Sequence, residues 1–248
     1  MTTTSPSTVR RWHEPTGIAP RGTLLLLAGR GETAQVYHRF GSRLAADAYR
    51  VVAVPTDHPG TGRGLGETPA DVLAELVADA ETPGPLVLVG VDGGGPHALR
   101  LAREHADTVD AVILAGLPTH DARPDDPDAE IAARTACPNH RLVLGREGAA
   151  GSPAGQPPVV DASPLGLPLL AVHGGADGIS PPTEAVPLYR ALGATSIVEV
   201  DGGLHDILND VSHRSVAATV VLFLERLRLG AHLPAVVSEL PETEPTPR

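Results

Sequence analysis

Short runs of consecutive apolar residues recur along the chain as far as residue 200, and glycine, proline or charged residues separate them. Runs of this kind are typical of strands with both faces buried, as in a parallel sheet covered by helices. The pattern therefore predicts six strands, at 22–29, 50–56, 85–91, 111–117, 167–174 and 196–200.

Segments with apolar residues at helical spacing lie between these runs. In one of them, Val36, Phe40 and Leu44 recur every four residues, which places them on one side of a helix. Alternation of strands and helices predicts an α/β fold with a mostly parallel, doubly wound sheet and helices on both of its faces. The predicted helices are 35–49, 69–80, 96–106, 183–192 and 215–229.

Two segments interrupt this alternation. Residues 118–166 are rich in Pro, Asp, Gly and Ala, with one helical hint at 129–136 and one apolar hint at 142–144. So long a connection is usually functional or disordered, and its position suits a short lid or cap. The tail 238–248 is acidic and proline-rich, which predicts disorder. We therefore expect one domain over 1–237, followed by that tail.

Composition narrows the possible functions. The 248 residues carry a formal charge of −11 and no long basic run, which argues against nucleic-acid binding. The single Cys137 excludes an internal disulfide and a cysteine-based zinc site. No apolar run approaches the roughly 18 residues of a membrane span, and the N-terminus lacks the apolar stretch of a secretory signal. We expect a cytoplasmic protein that acts on a small molecule, without a cofactor, metal ion or membrane span; the oligomeric state stays open.

Polar residues that follow the predicted strands are the candidates for chemistry, because ligands of parallel sheets bind at the carboxyl ends of the strands. Asp92 follows the third strand, Asp177 the fifth and His205 the sixth. The stretch GVDGGG around Asp92 has the strand–turn–helix form of a G-x-S-x-G nucleophile elbow, with aspartate in the place of serine. Nucleophile, acid and histidine occur in the chain order of α/β-hydrolases.

Six motifs in this order resemble the α/β-hydrolase superfamily, and within it the lysophospholipase and monoacylglycerol-lipase-like branch, also described as serine aminopeptidase S33-like. They are VRRWHEP, LLLLAGRGETAQVYHRF, DHPGTGRG, GVDGGG, HGGADGISPP and LHDILND. The resemblance implies an α/β-hydrolase fold and a catalytic triad of Asp92, Asp177 and His205. In that triad His205 is the base, and Asp177 orients the imidazole and stabilises its charge.

The resemblance also implies an oxyanion hole, a set of backbone N–H groups, at Gly29, Arg30 and Gly93. The Arg30 side chain has two interpretations at this point, as a site for an anionic group of the substrate or as a solvated cation. Two residues depart from the pattern of the branch. Ala28 stands where a histidine is usual, and Asp92 stands where the nucleophilic serine is expected.

The aspartate at the elbow is open to three interpretations. As a nucleophile, Asp92 forms an ester with a carbon that carries a leaving group, and water activated by His205 hydrolyses the ester, as in epoxide hydrolases and haloalkane dehalogenases. As an acid/base partner of His205, it serves a lyase or isomerase, for example in natural-product tailoring. The third interpretation is a non-catalytic binding protein that keeps the hydrolase fold.

We favour hydrolysis through an Asp92 ester of a small, largely apolar substrate, because the acid, histidine and oxyanion motifs are otherwise those of hydrolases. Neither Asp-dependent subfamily fits closely. Gly93 follows Asp92 where those dehalogenases have a halide-binding tryptophan, and 118–166 contains no tyrosine of the kind that protonates an epoxide oxygen. Acyl hydrolysis of the serine type is disfavoured, because carboxylate attack on an ester gives an anhydride.

Other polar residues of the motifs have smaller roles. We expect Glu32 and Tyr37 to make structural hydrogen bonds. His97, on the helix after the elbow, is expected to be packed or exposed. His120 and His140, in the candidate lid, are possible contacts of the substrate.

Overall fold

The computed structural model describes residues 9–56, 67–119, 124–147 and 159–238. The strands are β1 (Arg10–Trp12), β2 (Gly22–Leu27), β3 (Tyr49–Val54), β4 (Leu86–Val91), β5 (Ala111–Ala115), β6 (Leu169–Gly174) and β7 (Ser196–Val200). They form one seven-stranded sheet in the order β1-β3-β2-β4-β5-β6-β7. Strands β2 to β7 run parallel, as the six apolar runs predict, and the predicted mostly parallel sheet is confirmed.

Strand β1 is an addition that the apolar pattern did not predict. It pairs antiparallel with β3, with Arg10 opposite Ala53. Its three residues are two exposed arginines and a half-buried Trp12, so it contains no apolar run. The Trp12 ring packs on Gly41 of the following helix, where even a Cβ atom would approach the ring to 2.4 Å.

Helices cover both faces of the sheet, as predicted. A short 3-10 helix (Ala34–Tyr37) precedes α1, and the others are α1 (His38–Ala46), α2 (Pro69–Ala78), α3 (Gly94–Glu104), α4 (Pro127–Arg134), α5 (Pro138–Glu147), α6 (Pro182–Ala191) and α7 (His213–Arg228). Leu24 and Leu26 of β2 point towards α1 and α7, whereas Leu25 and Leu27 point towards α2, α3 and α6. Among the described helices, none combines the length and the apolarity needed to cross a lipid bilayer.

The segment between β5 and β6 contributes two helices. Helix α4 confirms the helical hint at 129–136, and the apolar hint at 142–144 belongs to a second helix, α5. Leu144 of α5 is fully buried against the α1 and α7 side of the core, and the backbone N–H of Asp206 donates to the Arg134 carbonyl at 2.9 Å. The described part of the predicted lid is therefore docked on the sheet domain. Its remaining residues, His120 among them, and the tail 239–248 lie outside the described residues.

The turn between β4 and α3 has the tight geometry of a nucleophile elbow. Asp92 has a backbone φ angle of +42°, which residues other than glycine rarely adopt. A Cβ atom at Gly94 would lie 2.2 Å from the Leu27 carbonyl oxygen, so only glycine lets α3 start this close to β2. The turn thus lifts Asp92 above the end of the sheet.

We predict that Gly94→Ala lowers the melting temperature, because the added methyl group collides with backbone atoms that cannot move aside. The expected cost is about 1–3 kcal/mol, in the range of overpacked cores. Gly145→Ala is the matched control, since its Cβ would meet only Ile131 Cδ1 at 4.0 Å and alanine favours a helix. Calorimetry of both variants tests this, and equal melting temperatures would contradict the steric account of the elbow.

Candidate active site

Three strand-end loops bring Asp92, Asp177 and His205 together above the carboxyl edge of the sheet. His205 Nδ1 donates to Asp177 Oδ2 at 2.8 Å. On the other side of the ring, His205 Nε2 lies 3.3 Å from Asp92 Oδ1. All three side chains are buried. The histidine therefore lies between the two carboxylates, as the strand-end positions and the chain order suggest.

Backbone donors and a second histidine hold Asp177 in place. Its Oδ1 accepts the N–H groups of Ile179 and Ser180, both at 2.9 Å, which leaves Oδ2 for His205. His173, at the end of β6, donates from Nε2 to the Ser180 carbonyl at 2.7 Å and lies 3.4 Å from Asp177 Oδ2. Burial lowers the pKa of His173, so this ring is neutral at pH 7. Sequence reasoning did not single out His173, because its hydrogen bonds depend on a loop that folds back on the strand.

The charges of the triad determine its protonation. Burial of the His205 ring opposes its charge, but the neighbouring carboxylates of Asp177 and Asp92 raise its pKa to about 10. Burial likewise acts to raise the pKa of Asp92, yet the adjacent imidazolium of His205 and the charge of Arg30 hold it well below its usual range. At neutral pH the site therefore contains an imidazolium between two carboxylates.

Of the three expected oxyanion positions, Arg30 is the one that faces the aspartate. Its backbone N–H donates to Asp92 Oδ2 at 3.0 Å. Its guanidinium is buried, with Nη2 3.8 Å from Asp92 Oδ1, so the interpretation of Arg30 as a solvated cation is wrong. Gly93 lies against Arg30 at the N-terminus of α3, where a Cβ atom would approach Arg30 Cβ to 3.3 Å.

The expectation that the Gly29 N–H serves the oxyanion hole is not met. That N–H donates to the Tyr37 hydroxyl at 2.9 Å and to Glu32 Oε2 at 3.2 Å. The Tyr37 hydroxyl in turn donates to Glu32 Oε2. Glu32 and Tyr37 therefore make the structural hydrogen bonds expected of them, and they turn the Gly29 donor away from Asp92.

A buried layer of charges lies beside the triad. Arg134, from α4, bonds to Glu32 through Nη2 and to both Asp206 oxygens through Nε, at 3.1 and 3.2 Å. His140, from α5, donates from Nε2 to Asp206 Oδ2 at 3.0 Å. The side chain of His140 is thus buried in this layer and bonded to Asp206. It does not lie at an open surface where the expected contact with a substrate could form. His97 lies elsewhere, in a groove between α3 and Val160.

The same layer contains the one group of side chains, within the described ranges, whose spacing would suit a metal ion. Ligand atoms of Glu32, His140 and Asp206 lie within 4.8 Å of one another. The guanidinium of Arg134 bonds to two of these three residues. The cluster thus already has its own cation, and the geometry gives no reason to add another.

The pattern of the family described as serine aminopeptidase S33 matches residues 18–140, a range that contains Asp92 but neither Asp177 nor His205. No curated protein matches the chain.

Solved structures share the fold at low identity. A monoacylglycerol lipase from Paleococcus ferrophilus is 18% identical, with a TM-score of 0.65 over 87% of this chain and 97% of that one. A soluble variant of a monoglyceride lipase from Saccharomyces cerevisiae is 17% identical, with a TM-score of 0.68 over 88% of this chain and 90% of that one. A thermophilic esterase from Thermogutta terrifontis is 23% identical, with a TM-score of 0.62 over 89% and 93%.

The family match supports the superfamily that the sequence motifs indicate, and the solved structures show its fold. The order of the sheet strands and the elbow after β4 fit the same assignment. The chain therefore belongs to the α/β-hydrolase superfamily and matches its serine aminopeptidase S33 family over residues 18–140, with an aspartate at the elbow after β4.

Proposed function

We propose that this protein is a hydrolase that forms an ester between Asp92 and a small, largely apolar substrate and then hydrolyses that ester with His205. The observation that carries the proposal is the different environment of the two Asp92 oxygen atoms. Oδ2 accepts the Arg30 N–H, whereas Oδ1 makes no hydrogen bond to any described residue. Oδ2 is thus fixed at a donor, whereas Oδ1, 3.3 Å from His205 Nε2, has no hydrogen bond to hold it.

In the first step, Asp92 Oδ1 attacks a saturated carbon of the substrate. The O–C bond forms, and the bond to the leaving group breaks, with the electron pair departing on the leaving group. Asp92 needs no base for this step, because its low pKa keeps the carboxylate ionised at neutral pH. This is where aspartate differs from serine, whose hydroxyl must lose a proton as it attacks.

In the second step, water transfers a proton to His205 Nε2 while its oxygen attacks Cγ of Asp92. Negative charge develops on Oδ2, where the Arg30 N–H is already 3.0 Å away. The Cγ–Oδ1 bond then breaks, and the alcohol leaves with the proton from His205. The carboxylic acid that remains at Asp92 passes its own proton to His205, which restores the resting ion pair. One oxygen of the Asp92 carboxylate now comes from water.

The charge of His205 changes between the two steps. With Asp92 ionised, the pKa of His205 is raised to about 10, so the ring cannot accept a proton from water. Ester formation removes the charge of Asp92 and with it one cause of the raised pKa. The pKa of His205 then falls, which makes loss of its Nε2 proton to solvent easier, while Asp177, the larger cause of the raised pKa, keeps Nδ1 bound at 2.8 Å. The histidine becomes a base only after the nucleophile has reacted.

One observation favours a second candidate, acid/base catalysis by a lyase or isomerase. The free site contains a carboxylate and an imidazolium 3.3 Å apart, and these are the two partners that a proton abstraction coupled to a proton donation needs. This candidate gives no role to the Arg30 donor on Oδ2, which is why we place it second. A protein that only binds its ligand would show neither reaction.

An oxygen-labelling experiment separates these functions. Excess enzyme is mixed with short bromoalkanes or terminal epoxides in H₂¹⁸O for one turnover, and the peptide that contains Asp92 is analysed by mass spectrometry. We expect ¹⁸O in the Asp92 carboxylate, because water attacks the carboxyl carbon of the ester. Asp177 is the internal control and should stay unlabelled. Turnover that leaves Asp92 unlabelled would rule out the ester mechanism and favour the lyase.

The variant His205→Ala should trap the ester. Asp92 still attacks the substrate, but water is not activated, so the alkylated enzyme accumulates. The adduct is detected by intact-protein mass spectrometry after incubation with the same bromoalkanes. The double variant His205→Ala/Asp92→Asn is the control, because it lacks the nucleophile. If both variants stay unmodified on a substrate that the wild-type enzyme consumes, the first step does not occur at Asp92.

The raised pKa of His205 predicts how stability depends on pH. Below pH 6.5, the ordinary pKa of the ring, His205 is protonated in both the folded and the unfolded protein, and its stabilising effect is complete. Between pH 6.5 and about 10, His205 is protonated only in the folded protein. The free energy of unfolding should therefore fall by about 1.4 kcal/mol per pH unit across this window from this group alone. Urea unfolding of wild type and His205→Gln from pH 6.5 to 9.5 measures the difference. Equal slopes in the two proteins would show that His205 is neutral in the folded state.

A further inference from the structure

Arg134 is a fully buried cation with carboxylates on several sides. It ends helix α4, and its guanidinium bonds to Glu32 and to Asp206, while Nη1 lies 3.7 Å from Glu130 Oε1. Its relative exposure is 2%, and Glu32 and Asp206 are buried as well. Replacing such a buried ion pair by apolar side chains is often neutral for stability, so docking of the helix alone does not require it.

One side of Arg134 leads to the oxyanion donor. Glu32, which accepts from Arg134 through Oε1, accepts the Gly29 N–H and the Tyr37 hydroxyl through Oε2. These bonds fix the turn that starts at Gly29, in which the Glu32 N–H also donates to the Gly29 carbonyl at 3.1 Å. Arg30 lies inside this turn. The direction of its N–H towards Asp92 therefore depends on the position of Glu32.

The other side of Arg134 leads to the histidine. Asp206 directly follows His205, and Arg134 holds it twice, through the guanidinium and through a backbone carbonyl that accepts the Asp206 N–H at 2.9 Å. His140 holds Asp206 Oδ2 from α5. A displacement of Asp206 therefore moves the residue that carries the imidazole.

We propose that Arg134 is a positioning residue that joins the two halves of the catalytic site, fixing the Arg30 N–H on Asp92 through Glu32 and the ring of His205 through Asp206. This inference rests on the proposed function for its kinetic consequence but not for its geometry. Helix α4 belongs to the segment between β5 and β6. Through Arg134 it helps to position the catalytic groups, besides packing over them. The fork of the guanidinium suits this role, because its N–H groups reach two carboxylates in fixed directions.

The test compares Arg134→Met with Arg21→Met. Arg21 also forms a bidentate ion pair, with Glu225 of α7, but it lies outside the site. In steady-state turnover of bromoalkanes or epoxides, Arg134→Met should lower kcat about 100-fold with little change in KM. This is the pattern expected when catalytic groups are misplaced. Arg21→Met should leave both constants unchanged. Arg134→Lys, which keeps the charge, replaces Arg134→Met if the latter does not fold.

A double-mutant cycle tests the route through Glu32. If Arg134 acts through that carboxylate, Glu32→Gln lowers kcat on its own, and the double variant is hardly worse than Arg134→Met. Losses that multiply fully in the double variant would show that the two residues act independently, and the route through Glu32 would be abandoned.

Nuclear magnetic resonance gives a readout that needs no turnover. The backbone amide of Arg30 and the His205 Nδ1 proton, bonded to Asp92 and Asp177, should both shift in Arg134→Met and stay in place in Arg21→Met. If the wild-type enzyme turns over none of the substrates, the proposed function fails, but these two resonances still decide the inference. Unchanged resonances in Arg134→Met, with a lowered melting temperature as its only effect, would overturn the inference and leave Arg134 a purely structural residue.

Discussion

The contact of His205 with two buried carboxylates governs the rest of the site. Asp177 binds one ring nitrogen and Asp92 faces the other, at 2.8 and 3.3 Å. Two anions buried so close together need cations, since an unpaired buried charge is expensive. The imidazolium supplies one positive charge, and the Arg30 guanidinium, 3.8 Å from Asp92, supplies another. The raised pKa of His205 and the lowered pKa of Asp92 follow from this balance.

The exchange of serine for aspartate changes the chemistry that the same scaffold supports. Among the described residues, a neutral serine would leave Asp177 as the one carboxylate paired with the His205 ring, and the ring could then act as a base from the start. With Asp92 in that place the ring is charged at rest, and the Asp92 carboxylate is ionised without help. The Arg30 N–H, which would face the oxyanion of a bound acyl group, instead lies on Asp92 itself. The proposed ester mechanism uses all of these consequences together.

The buried layer around Arg134 lies beside Asp92, Asp177 and His205 and connects them to the helices between β5 and β6. Arg134 and His140 come from α4 and α5, whereas Glu32 and Asp206 come from loops at the ends of two strands. In a low-dielectric interior such a network is worth much when all its members are bonded and costs much when one is lost. The helices between β5 and β6 are thereby bonded to Glu32 and Asp206, which lie close in the chain to Arg30 and His205.

The sequence by itself determined the six parallel strands, five of the helices and the order of Asp92, Asp177 and His205, because these depend on local periodicity and on the ends of strands. It did not predict β1, whose Trp12 packs on a distant helix, or α5. Only the tertiary structure decided that the Gly29 N–H is bound to Tyr37 and Glu32, and that Arg134 reaches Glu32 across 102 positions of the chain. Backbone donors and buried ion pairs acquire their partners from segments remote in the chain, and no local pattern of residues encodes which partner they meet.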